Sequence, residues 1–280
     1  MSRLSNSWEL VKESWKVLKA DKELLVFPLV SFIGSIIVTI AFMVPIFLSR
    51  LYESFSDGNS SSQIAFAVFS FLFYVVEYTV IFFCNSALVG AAMIRLKGGD
   101  PTLRDGFRIA SQHFGAIIGY AIISSTVGMI LRAIAERGII GQIVSGIIGF
   151  AWNVATFIAV PILVVEGVGP IEAIKRSGAY LKKTWGERII GNAGIGLVFG
   201  LIMLALFVVA CPLMFALISS QSTGLIAIGG IVFVIAFIGL GLISSALSGI
   251  YTAAVYRYAA EGASDGYFDP SLVQNAFKQK

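Results

Sequence analysis

Charge is scarce in this chain. Asp, Glu, Lys and Arg make up 13 % of its 280 residues and hydrophobic residues 57 %, where soluble proteins carry about 25 % charged residues. No stretch between the apolar runs is long enough to build its own core, which excludes a separate soluble domain and with it an extramembrane catalytic domain. Cysteine is nearly absent, and Cys84 and Cys211 both lie inside apolar runs. They read as small packing residues, without a disulfide framework. His113 is the one histidine; with no Cys or second His near it, no metal site is expected. HExxH, GxSxG and paired acidic motifs are missing, so the sequence points to no enzyme and implies no cofactor. The net charge of +4 is too dilute, and too poorly interleaved with aromatics, for nucleic acid to be a partner. Residues 1–23 carry nine charges and no apolar centre, so a cleavable signal is not expected there.

Long apolar stretches take up the remainder. They run over 24–48, 64–94, 109–131, 139–165, 189–218 and 225–258, each able to cross a bilayer as a helix of about 20 residues. The expected fold is all-α: a polytopic membrane helix bundle with six transmembrane helices. Continuous apolar runs speak for an inner or plasma membrane, since outer-membrane barrels alternate. Seventeen of the twenty Lys and Arg residues fall in the N-terminal segment, the second and fourth connections and the C-terminal end; Arg50, Arg132 and Arg137 are the exceptions. By the positive-inside rule both termini are cytoplasmic.

The three basic segments share a design, an amphipathic helix leading into a two-span hairpin. In the first, Leu4, Trp8, Val11, Trp15 and Leu18 recur at helical spacing with Lys12 and Lys16 opposite, and Asn6 with Glu9 resembles a capping box. In the second, Asp100 is the expected cap and Pro101 the first turn; Leu103, Phe107, Ala110 and Phe114 form the stripe, with Arg104 and Arg108 outside it. In the third, Pro170 opens the helix, Ile171, Ile174, Gly178, Leu181 and Trp185 make the stripe, and Lys175, Arg176, Lys182 and Lys183 lie opposite. Such elbow helices rest in the interface, basic face toward anionic headgroups. Residues 86–95 (SALVGAAMIR) and 248–257 (SGIYTAAVYR) share the Ser, both Ala and the Arg. The chain therefore reads as one transmembrane domain of three related units, 1–96, 97–166 and 167–280; the alternative is convergence of interfacial helices and small-residue spans by composition.

The stretch VPILVVEGVGPIEAIKRSGAYLKKTWGE from Val160, with RLKGGDPTLRDGFRIA from Arg95, YTAAVYRYAAEG from Tyr251 and FDPSLVQNAFKQK at the C-terminal end, resembles an uncharacterised six-span membrane family, a domain-of-unknown-function family. More loosely, the architecture is similar to the membrane domain attached to some glycerophosphodiester phosphodiesterases. The barrel that carries their activity is lacking, so the likeness implies a fold and no reaction.

Glu77 stands out among the polar residues, more than a dozen positions from either end of its span. A carboxylate there costs about 2.5–3.5 kcal/mol on insertion scales. It reads either as a proton or cation site, with Asn85 two turns along the same face, or as an acid bonded to a neighbouring helix. Asn153, beside Trp152 and near Thr156, lines a path or bridges helices. Ser244, Ser248 and Thr252 form a small, slightly polar face, suited to close packing or to a conduit. Glu166 is expected to pair with Arg95, Arg188 or Arg257 at the rim, and Arg132 with Glu136 in an outer turn. Pro45, Pro161 and Pro212 fall inside spans, where each frees a carbonyl one turn earlier.

Three functions fit in descending order. The first organises lipid, or binds a partner membrane protein or a second copy, through the elbows. The second is a channel or transporter for a small solute using Glu77 and Asn153, against which the charge-poor spans argue. The third is a lipid-processing enzyme.

Overall fold

The computed structural model describes residues 3–48, 60–185, 194–219, 222–262 and 268. Among these the secondary structure is helical, without strands. Helix α1 (Arg3–Ala20) passes through a 3-10 turn (Lys22–Leu25) into α2 (Val26–Leu48), and α3 (Ser60–Leu96) returns. Helix α4 (Leu103–Gln112) precedes α5 (Phe114–Ala135), whose partner is broken into α6 (Ile139–Thr156) and α7 (Ala159–Val165). Last come α8 (Pro170–Trp185), α9 (Gly194–Ser219) and α10 (Thr223–Glu261).

Five segments are long and apolar enough to cross a membrane: Lys22–Leu48, Ser61–Leu96, Phe114–Ala135, Ile139–Val165 and Thr223–Glu261. The remaining apolar stretch, fifth along the chain, carries α9, 26 residues long, of which Phe199–Ala210 is a shorter apolar helix among the described residues. The architecture is that of a multi-pass membrane protein. Side chains far from the charge-rich end stand exposed and apolar, among them Phe47, Phe66, Ile139 and Phe150. A soluble protein would hide such a surface; a lipid-facing one has no reason to.

The core gathers at the charge-rich end. Ala87, Leu88, Val89, Ala91 and Ala92 of α3 meet Ala246, Leu247, Ile250 and Ala253 of α10 there, with nearly all of α7 buried beside them. The two echoing segments 86–95 and 248–257 are thus the heart of the bundle. Small residues set the approach: a Cβ at Gly249 would collide with Leu88. Within the hairpins α2 packs on α3, α5 on α6, and α9 on α10. The short helices pack chiefly one hairpin back: α4 on α3, α8 on α6 and α7, and α1 on α9 and α10. The first short helix therefore closes the ring onto the last hairpin.

Several local expectations change. Helix α1 begins at Arg3 and runs through Asn6, whose side chain lies outside the described residues. Its protein-facing side is Leu10, Val11, Ser14, Val17 and Leu18, while Trp8 and Trp15 stay exposed. One flank of the apolar stripe faces the bundle and the other is left for the surroundings. Helix α8 divides likewise: Ala173, Ser177 and Leu181 are buried and Ile171 is exposed. The Trp185 side chain lies outside the described residues. Asp100 does not cap α4. Thr102 does, in a capping box with Asp105, and Asp100 is turned aside by Arg95 at 3.0 Å.

The fourth span breaks at Phe157–Ile158. Pro161 lacks the amide hydrogen that would reach the Phe157 carbonyl, and its ring crowds that carbonyl. The Ile158 amide, left without a helical partner, donates to Ser177 Oγ at 3.3 Å in a buried setting. Helix α8 thereby satisfies the break, as buried backbone away from water requires. By contrast α2 and α9 run through Pro45 and Pro212 without interruption.

Candidate functional site

Helix ends converge on the charge-rich rim, and arginines cap them. Arg257, 7 % exposed, donates to the Leu96 carbonyl at the end of α3 at 2.6 Å. Arg95 donates to the Ala20 carbonyl at the end of α1 and to Gly99, and pairs with Asp100. A guanidinium suits this role because the last carbonyls of a helix lack partners and carry the negative end of its dipole. Glu23 does the converse, accepting the Leu103 amide at the start of α4 at 3.2 Å.

Glu166 ends α7. Arg176 Nη1 lies 2.6 Å from it, and Tyr256 donates to its other oxygen at 3.2 Å. The expected partners Arg95 and Arg257 are engaged elsewhere, and Arg188 lies outside the described residues. Arg176 also pairs with Glu172 at 2.8 Å. Hydrogen bonds to Glu172 and Glu166 hold its guanidinium further into the charged form, and Arg176 in turn draws the Glu172 carboxyl below its usual range. Gly167 follows with φ +65°, a left-handed stop open to glycine.

The other proposed headgroup contacts separate clearly. Lys16 is bound to Glu13 at 2.7 Å and Arg108 to Asp105 at 2.6 Å. Hydrogen bonds from Thr102 keep the Asp105 carboxyl below its ordinary value. Lys12, Arg104, Lys175, Lys182 and Lys183 are exposed and enter no ion pair among the described residues. Sequence periodicity marks all eight as basic-face residues but cannot separate those already neutralised, since that depends on where acidic neighbours fold.

Below the rim a cavity of about 190 Å³ opens between α2, α3 and α10. Ser31, Asn85, Ser245, Ser248 and Thr252 give it a polar wall; Phe27, Ile81 and Leu88 give it an apolar one. Cys84 also lines it and shares a hydrogen bond with Ser31. Asn85 is the one member of the expected intramembrane set found here. Glu77 lies two turns further along α3, beyond Ile81, and its Oε2 is buried with no hydrogen-bond partner among the described residues. Asn153 sits exposed on α6, away from this cavity. A smaller space of about 130 Å³ lies between α3 and α5, lined by Tyr74, Tyr78, Ser125 and Arg132. There Arg132 reaches Tyr74 and holds the expected pair with Glu136 at 3.1 Å. Ser31 is a site residue that sequence reasoning misses, because nothing local marks one serine near a span end.

A family model described as a family of unknown function (DUF6159) matches residues 64–266. No curated protein matches the chain. The looser likeness to the membrane domain of glycerophosphodiester phosphodiesterases is not shown by these comparisons.

Proposed function

The chain belongs to the DUF6159 family, a family of unknown function, and we propose that within it this protein organises anionic lipid around its three short helices, basic rim toward the cytoplasm. The observation that carries the reading is the division of labour at the rim. Arg95, Arg176 and Arg257 are spent on helix ends and carboxylates inside the fold. Lys12, Arg104, Lys175, Lys182 and Lys183, drawn from all three short helices, have no such partner among the described residues. Each cation near an anionic surface contributes about 1 kcal/mol. Trp8 and Trp15 stand exposed on α1, with Lys19 5.8 Å from the Trp15 ring, the amphipathic chemistry of the membrane interface.

The test is lipid retention. Protein purified in detergent from mixed anionic and zwitterionic vesicles should keep an excess of anionic lipid that salt removes. Replacing Lys175, Lys182 and Lys183 together by Ala should reduce the excess, with the thermal midpoint unchanged. Retention that mirrors the bulk mixture at low salt would overturn the reading. The reading is non-catalytic. Passage of a solute past Glu77 and Asn153 is less supported, because neither residue lines the cavity that holds Asn85.

A further inference from the structure

The polar cavity lies between spans whose outer faces are apolar. Asn85 brings an amide that both donates and accepts; Ser31, Ser245 and Ser248 bring hydroxyls that do the same. Thr252 already donates to the Ser248 carbonyl at 2.8 Å, which leaves its oxygen to accept. Serines and threonines on a span usually serve close helix packing. These instead surround open space of about 190 Å³. In hydrocarbon, polar groups around such space call for a hydrogen-bonding occupant.

The lining also sets the occupant's charge. Among the described residues no Asp, Glu, Lys or Arg lines the cavity. An ion placed there would lose its hydration with no opposite charge to offset the loss. Neutral donors and acceptors in equal measure match hydroxyl groups, which are themselves both.

Shape and depth narrow it further. A water needs about 10–15 Å³ of such space, so there is room for a small polar head group. Its floor is closed: Leu88 and Gly249 are buried, and a Cβ on Gly249 would strike Leu88. Its mouth is at Ser245, exposed on the flank of α10 while Ala246 and Leu247 are buried. Thr252 lies five residues before the rim arginine Arg257, about 7.5 Å along the helix. On the Ser245 face of α10 the exposed apolar residues Ile231 and Val234 continue away from the rim.

We propose that this cavity, walled by Asn85, Ser31, Ser248 and Thr252, binds a small uncharged hydroxyl-bearing head, that of a neutral lipid entering sideways at Ser245 with its chains along α10. The site is distinct from the basic rim, whose ligand is anionic, and the two stand or fall separately.

Cys84 reports on occupancy, because its thiol lines the cavity. The full chain carrying Cys211→Ser, in detergent micelles, is treated with the small neutral reagent methyl methanethiosulfonate. Labelling of Cys84 is timed alone and with dioctanoylglycerol, free glycerol, dioctanoyl phosphatidic acid or a matched alkane. The expected result is protection of about tenfold by dioctanoylglycerol, the ratio that 1.4 kcal/mol provides, with little from phosphatidic acid or alkane. Ser248→Ala and Asn85→Leu should each weaken protection while Cys84 still reacts; the serine change removes one hydroxyl and serves if the leucine variant fails to fold. Protection by free glycerol at equal concentration, with none from dioctanoylglycerol, would keep the hydroxyl chemistry and make the ligand a free polyol. Equal protection by alkane and dioctanoylglycerol, or none by either neutral hydroxyl compound, overturns the proposal.

Discussion

Arg257 Nη1 lies 2.6 Å from the main-chain oxygen of Leu96, 161 residues earlier in the chain. The bond ties the end of α10 to the end of α3 in the densest part of the core. Arg257→Met should cost about 1.5–3 kcal/mol, the usual range for a hydrogen bond to a charged group. Arg257→Lys should recover only part, since an ammonium on a flexible stem lacks the planar fork. Thermal unfolding in detergent measures both; a methionine variant as stable as wild type would show that the cap contributes nothing.

Ser177 carries the break in the fourth span. Ser177→Ala leaves the Ile158 amide buried without an acceptor, at a cost of about 1–3 kcal/mol. Hydrogen exchange at Ile158 should rise relative to Ile162, whose bond to the Ile158 carbonyl at 3.2 Å is untouched. Unchanged protection would mean that another group takes the proton.

Asp21 gives a pH-dependent stability of definite sign. Its carboxyl caps the 3-10 turn through the Glu23 amide at 3.2 Å, while Oδ2 is buried and without a partner. Burial raises its pKa above the ordinary 3.8, against the Glu23 amide and Arg95, which lower it. A raised carboxyl favours the folded state while protonated, so that contribution is complete below about pH 3.8 and is lost as pH climbs through the folded value. Asp21→Asn keeps an acceptor for the Glu23 amide and removes the charge. The variant should be the more stable protein at neutral pH, with the gap closing in acid. A gap that widens on acidification would reverse the assignment.

Glu77 has a buried oxygen without a partner. Glu77→Leu removes a polar group whose isolation costs about 1–3 kcal/mol, so the variant should melt higher in detergent by a corresponding margin. A lower melting point would show that the carboxyl makes a contact that the fold depends on.

How much of this was legible beforehand differs by element. Helix α10 and the end of α3 were plain, because 20 or more apolar residues in a row leave a backbone one way to satisfy itself in lipid. Pro170 opens α8 as expected, since proline at a helix start sacrifices an amide that had no partner anyway. The buried face of α1 lies a fraction of a turn from its apolar stripe. Periodicity shows that Trp8, Val11, Trp15 and Leu18 share a side, but not that part of it meets α9 and α10 and part does not. The cap of α4 lies two residues beyond the expected Asp100, because the helix begins at Leu103 and Thr102 closes a capping box with Asp105. For the site, Asn85 could be marked from its rarity inside a span. Ser248 and Thr252, with Ser245 beside them, stand out as a small polar face. Ser31 does not, since its meeting with them depends on how α2 and α10 lie across α3.

The order of residues alone decided that this is a helical protein made for a membrane, with one charged end, because hydrophobicity and helical pitch are properties of a chain before it folds. Which cations are free, which carbonyls they cap and where polar groups enclose a space were decided only by packing. Those relations join residues such as Leu96 and Arg257 that are far apart in sequence, and local pattern holds no record of distance between helices.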